Sequence, residues 1–97
     1  MTDKELLEFA AKAILTTEHY ENKDYMRGWF SNWNPLTDDG DALRLAVLLS
    51  FDVDLFSGRV AVRTHNGIKI LEEVTRNPYA ATRRAIVRAA AEIGKTL

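Results

Sequence analysis

The spacing of apolar residues predicts a helix at each end of the chain. Residues 3–15 and residues 78–94 carry apolar side chains at intervals of three and four, the spacing of a helix that buries one face. Either Thr2 or Asp3 can cap the first helix. Asn77 can cap the last helix, because asparagine is a favoured N-cap residue and the proline that follows it suits the first helical position.

A third helix is expected after a cap at Thr37 or Asp38, and its residues 42–49 are apolar almost all the way round, since Arg44 is the only polar residue among them. One face carries Leu43, Ala46 and Val47, and the other carries Leu45, Leu48 and Leu49. A surface helix normally has a single apolar stripe. We therefore expect this helix to be buried on two sides, either between the sheet and another helix or at a subunit contact.

Between residues 51 and 74 the apolar period changes to two, which is typical of strands with one buried face. Ser57-Gly58 and Asn66-Gly67 interrupt the alternation, and Asn-Gly favours a hairpin because both residues tolerate positive φ. The pattern predicts a three-stranded antiparallel meander. Its apolar face carries Phe51, Val53, Leu55, Val60, Val62, Ile68 and Ile70. Its other face carries Asp52, Asp54, Arg59, Arg63 and Lys69.

The aromatic content of residues 25–30 adds a short strand before the middle helix. We therefore predict an α+β fold in one domain over residues 1–97. A small antiparallel sheet, made of the meander and the short N-terminal strand, is packed with three helices in the order α-β-α-β-β-β-α.

Composition narrows the range of functions. The chain has no cysteine, which removes disulfides, thiolate metal sites and cysteine nucleophiles, and no apolar run approaches the roughly 20 residues of a membrane span. The N-terminus lacks the basic start and apolar core of a signal peptide, so we expect a cytoplasmic protein. The five glycines are scattered and the two histidines are isolated, so we expect no enzyme activity, no metal and no cofactor.

Three aspartates precede the middle helix: Asp38, Asp39 and Asp41. Three carboxylates within four residues suit a hard cation such as Mg²⁺ or Ca²⁺, although the spacing is not that of an EF-hand. Thr37 or Asp38 can instead cap the helix, and if Asp38 does so, Asp41 can reach back to it in a variant of the capping box. Capping is the interpretation that we favour.

The segment from Tyr20 to Trp33 holds five of the nine aromatic residues. Aromatic and arginine side chains dominate protein interfaces, so this segment is the candidate partner-binding site. Its members are Tyr25, Arg27, Trp29, Phe30 and Trp33. The alternative is that these aromatics form part of the core, which is otherwise made of leucine, valine and alanine.

Charge is distributed unevenly around a net value of −1. Residues 1–56 hold five Lys or Arg and eleven Asp or Glu, whereas residues 76–97 hold five Lys or Arg and one Glu. On the last helix, Arg84 and Arg88 share a face with Ala91 and Lys95. Together with Arg83 they could contact phosphates. A solvated helix face is the favoured interpretation, and nucleic-acid binding is the alternative function.

Two stretches resemble the phage ABA sandwich family of small phage and prophage proteins. Residues 33–46, WNPLTDDGDALRLA, resemble the signature of this family, and residues 77–94, NPYAATRRAIVRAAAEIG, resemble its C-terminal helix. The resemblance covers about a third of the chain. It implies helices on both sides of a small sheet and a phage or prophage origin, and it implies no catalytic residues.

The resulting hypothesis is a non-enzymatic phage accessory protein that binds a host or phage protein in the bacterial cytoplasm. Inhibition of a host defence system is one candidate role. A homodimer through the middle helix is compatible with this hypothesis.

Overall fold

The computed structural model of the chain describes residues 1–15 and 32–97. In these residues the helices are α1 (Asp3–Leu15), α2 (Asp39–Leu48) and α3 (Pro78–Lys95), and the strands are β1 (Asp52–Phe56), β2 (Arg59–Arg63) and β3 (Lys69–Glu73). This arrangement confirms the predicted α+β class, the three helices and the meander. The short strand predicted over residues 25–30 lies outside the described residues.

The three strands form an antiparallel sheet in the order β1-β2-β3. Val62, in the central strand, lies opposite Val53 of β1 and Ile70 of β3, as the apolar alternation predicts. Both turns contain a glycine with positive φ, 82° at Gly58 and 93° at Gly67. Asn66 does not share this conformation with Gly67, because the hairpin closes through a longer loop in which Thr64 N donates to Ile68 O at 2.9 Å.

α3 is the central helix of the fold. It packs against α1, against α2, and across β2 and β3. Its buried residues lie on several sides and are Ala81, Ala85, Ile86, Val87, Ala89, Ala90, Ala91 and Gly94. Enclosure on several sides requires close approach of the neighbouring backbones, which the many small side chains allow. The spacing of the arginines predicts a solvated face that includes Ala91, but Ala91 is buried because α1 and the sheet cover α3 from different directions.

α2 was expected to be covered on two sides, either by the sheet and another helix or at a subunit contact, and the first of these alternatives was wrong. Its buried residues, Ala42, Leu45 and Ala46, together with Leu49 at its C-cap, pack into the core. The other side lies in solvent, with Leu43 64% exposed and Val47 67% exposed. A chain of this size forms one modest core, and α3 already occupies its centre.

α1 begins with a reciprocal pair of hydrogen bonds between Thr2 and Glu5. Glu5 N donates to the Thr2 hydroxyl at 3.1 Å, and Thr2 N donates to the Glu5 carboxylate at 3.1 Å. The backbone hydrogen bond from Thr2 is the largest cause that lowers the pKa of the Glu5 carboxyl below its ordinary value of 4.5. Of the two caps predicted for this helix, Thr2 is therefore the one used.

Candidate protein-binding surface

The acidic stretch before α2 is part of the helix start. Asp38 caps the helix, because its carboxylate accepts a hydrogen bond from Asp41 N at 2.8 Å. The predicted hydrogen bond from the Asp38 backbone to the Asp41 carboxylate is not formed. The Asp41 carboxylate instead accepts from Asn34 N at 2.9 Å and from Arg44 at 2.7 Å, and Asp38 N donates to Asn34 O. Asp41 therefore fastens the preceding turn to the helix.

The third aspartate, Asp39, pairs with Arg83 of α3 at 2.6 Å. Each of the three carboxylates thus has a partner within the protein, and the capping interpretation is confirmed for Asp38. Within residues 1–15 and 32–97, no group of three or more histidine or acidic side chains is arranged to hold a metal ion.

The three arginines of the nucleic-acid alternative are all engaged with acceptors of the protein. Arg83 is largely buried and donates to Leu36 O at 2.8 Å as well as to Asp39. Arg84 pairs with Asp3 at 3.2 Å, and both Arg84 and Arg88 approach the carboxylate of Glu72. A phosphate would have to compete with these carboxylates, which reduces the field available to nucleic acid.

Most of the aromatic site predicted from the sequence, namely Tyr25, Arg27, Trp29 and Phe30, lies outside the described residues. Trp33 is described: it is half-buried and packs against the core. It also borders a shallow groove along α1 with Lys4, Leu7, Glu8 and Ala11. Trp33 therefore contributes to the core and also presents part of its side chain at the surface.

A larger apolar surface lies elsewhere, between α2, β1 and the start of α3. We call it the apolar groove. Three of its lining side chains are more than half exposed: Leu43 at 64%, Leu55 at 70% and Tyr79 at 67%. Phe56 borders the groove at the end of β1, but the strand register places its side chain on the opposite face of the sheet, with Arg59 and Leu71. Val47, at 67%, lies one helical turn beyond Leu43 on α2. The volume of the groove is about 590 Å³.

The groove is open because the sheet is only partly covered. α3 packs on β2 and β3, so the core-facing side of β1 projects past the helix. Leu55 and Val60 are directly opposite each other in the register and share this side of the sheet. Val60 is nevertheless 2% exposed and Leu55 is 70% exposed. The difference arises from the position of α3 and not from the two side chains.

The charges in the groove largely compensate each other. Among residues 1–15 and 32–97, the charged residues that line it are Asp39 and Arg83, and they form an ion pair with each other. The remaining lining is almost entirely apolar, with alanine, valine and isoleucine between the exposed side chains. Such a surface suits an apolar segment of a protein better than a charged small molecule.

Two features of the sequence relate to this surface, but neither predicts a site there. The all-round apolar character of residues 42–49 predicts cover on two sides, by the sheet and another helix or by a second subunit. The alternation in β1 placed Leu55 on the apolar side of the sheet. Neither feature reveals that these two faces border the same groove, since that depends on where α3 crosses the sheet.

Comparison with protein-family models, curated proteins and solved structures finds no match to this chain. The chain is thus defined by its fold and surface, as a small α+β protein with an exposed apolar groove, and the resemblance to the phage ABA sandwich family stays a prediction. None of the helices in the described part of the chain is long and apolar enough to cross a membrane.

Proposed function

We propose that this protein is non-enzymatic and acts by binding another protein through the apolar groove. The observation that carries the proposal is the clustering of exposed large apolar side chains around one concavity. The largest apolar patch on a typical monomer covers roughly 300–600 Å², and patches at the upper end often mark interaction sites. Desolvating leucine and aromatic side chains of this kind supplies binding free energy without any charged ligand.

The resemblance of residues 33–46 and 77–94 to phage ABA sandwich proteins supports a phage or prophage origin. On that basis, the partner is a host or phage protein in the bacterial cytoplasm, and inhibition of a host defence system is one candidate role. The groove is the contact surface that the described residues favour, and the site predicted at Tyr25, Arg27, Trp29 and Phe30 stays a prediction. Trp33, which borders the separate groove along α1, remains a secondary candidate.

Capture of partners from host lysate tests the proposal. The same substitution, leucine to aspartate, is made once inside the groove and once outside it. Leu55→Asp places a charge in the groove, whereas Leu71→Asp places it at a residue 48% exposed on the opposite face of the sheet. We expect specific capture to be lost with Leu55→Asp and retained with Leu71→Asp. Equal capture by both variants would contradict binding through the groove.

Trp33→Ala, in the same assay, tests the aromatic site. Loss of capture with Trp33→Ala and full capture with Leu55→Asp would move the contact surface to the α1 side of the molecule.

A further inference from the structure

We infer that the partner which occupies the apolar groove is a second copy of this chain, in a two-fold contact formed by α2 and the groove. The inference rests on the proposed function, that a protein binds through the groove, and assigns the groove to a second copy of this chain. A host protein captured through the groove would have to compete with this copy. In this contact, Leu43 and Val47 of one copy pack beside Leu55 and Tyr79 of the other, and the same residues contact in reverse.

The first support is the composition of α2 taken together with its burial. Leu45 and Ala46 already bury one side of the helix, with exposures of 0% and 5%. The opposite side is equally apolar, but within one chain it faces water. A helix that is apolar all round is normally covered all round. In a dimer, the second copy covers the side of α2 that carries Leu43 and Val47. The contact therefore explains why these two positions are not polar.

The second support is shape. Leu43 and Val47 are one turn apart and form a ridge on α2, and the groove lies directly beside this ridge because Leu43 also lines it. A two-fold contact needs a surface that is complementary to itself. A ridge adjacent to a groove meets this requirement, since rotation about an axis between them places each ridge against the other copy's groove.

The third support is area. An aromatic side chain presents on the order of 150–250 Å² when fully exposed, and leucine and valine lie at or below the lower end of this range. Leu43, Val47, Leu55 and Tyr79 are 64–70% exposed. Together they therefore present roughly 400 Å² per copy. A standard interface buries about 800 Å² per partner, and homodimer interfaces are about 65% apolar, which corresponds to roughly 520 Å² of apolar surface. The patch therefore supplies most of the apolar area that a stable dimer buries.

Charge does not oppose the contact. The chain has a net charge of −1, so two copies repel each other weakly. Next to the ridge, the side chains of Arg44 and Asp38 are exposed at 54% and 59%, and the groove contains the Asp39–Arg83 pair. The border of the patch thus carries both signs, and a two-fold rotation can bring opposite charges together.

Analytical ultracentrifugation of the full chain over a wide concentration range tests the inference. We expect the wild type to sediment at twice the monomer mass of 11.0 kDa. Val47→Glu on the ridge and Leu55→Glu in the groove should each raise the dimer dissociation constant by at least tenfold. Leu71→Glu, on the opposite face of the sheet, is the matched control and should leave the constant unchanged. Circular dichroism confirms that each variant is folded, which we expect because all three sites are exposed.

A crosslinking experiment adds the geometry of the contact, because the chain contains no cysteine. A mixture of Val47→Cys and Leu55→Cys proteins should give a heterodimer with a short bismaleimide, whereas a mixture of Val47→Cys and Leu71→Cys should not. A wild type that stays monomeric, or a dimer that both glutamate variants leave intact, would overturn the inference. If the wild type is monomeric and Leu55→Asp still abolishes capture from lysate, the dimer is overturned and the proposed function is retained.

Discussion

The carbonyl group of Phe9 in α1 lies directly against Gly94 in α3. A Cβ atom at residue 94 would come within 1.9 Å of the Phe9 oxygen and 2.6 Å of its carbonyl carbon. Both atoms belong to the backbone, so neither can rotate away. The contact of α1 with the central helix therefore depends on the absence of a side chain at residue 94.

We predict that Gly94→Ala destabilises the protein, although the same change in an open helix gains up to about 1 kcal/mol from helix propensity. Overpacking against a backbone should instead cost about 1–3 kcal/mol. Urea denaturation monitored by circular dichroism measures the difference. Gly40→Ala in α2 is the comparison and should cost less, because a Cβ there meets only side-chain atoms, the capping oxygen of Asp38 at 3.2 Å and the Arg44 guanidinium at 3.3 Å. A stabilising Gly94→Ala would show that the two helices are farther apart than described.

The two faces of α2 should respond differently to the same substitution. Leu45 is 0% exposed, so Leu45→Ala should cost about 2–5 kcal/mol of unfolding free energy. Leu43 is 64% exposed, so Leu43→Ala should cost no more than about 0.5 kcal/mol in the monomer. Denaturation at low protein concentration separates this effect from dimer dissociation. Similar losses for both variants would mean that Leu43 is covered within a single chain.

Asp41 should contribute to stability through the turn that it fastens to α2. Asp41→Ala leaves Asn34 N without its acceptor and removes the ion pair with Arg44, so we expect a loss of about 1–3 kcal/mol. Chemical denaturation tests this value. Asp52→Ala, at an exposed position of β1, is the control and should change stability by less than about 0.5 kcal/mol. An Asp41→Ala variant as stable as this control would show that the hydrogen bonds of Asp41 contribute little.

The capping box of α1 should make stability depend on pH. The pKa of Glu5 is lowered in the folded protein, chiefly by the Thr2 backbone hydrogen bond, so the ionised carboxylate stabilises the folded state. This contribution is fully present above the unfolded pKa and is lost as pH falls through the folded pKa. Glu5→Gln should therefore be less stable than the wild type at pH 7, and the difference should shrink below the ordinary pKa of 4.5.

Unfolding of both proteins at neutral and acidic pH measures this convergence. A difference that stays constant with pH would indicate that ionisation of Glu5 does not stabilise the helix start.

Local sequence was sufficient to place most of the secondary structure. The caps at Thr2, Asp38 and Asn77 act within a few residues of the helix that they start, and the alternation in the strands is a property of neighbouring side chains. The class of fold follows from the order of these elements. The groove could not be found in this way, because it is bordered by Leu43, Leu55 and Tyr79, which come from three different elements.

Which helix lies at the centre was settled only by the packing of the layers. Composition favoured residues 42–49, which are rich in leucine, yet the alanine-rich α3 is the enclosed helix because small side chains let α1, α2 and the sheet approach it closely. Leu43 and Leu45 have identical side chains, yet Leu43 is 64% exposed and Leu45 is 0% exposed. Burial depends on what the rest of the chain places over a residue, and periodicity reports only which residues share a face.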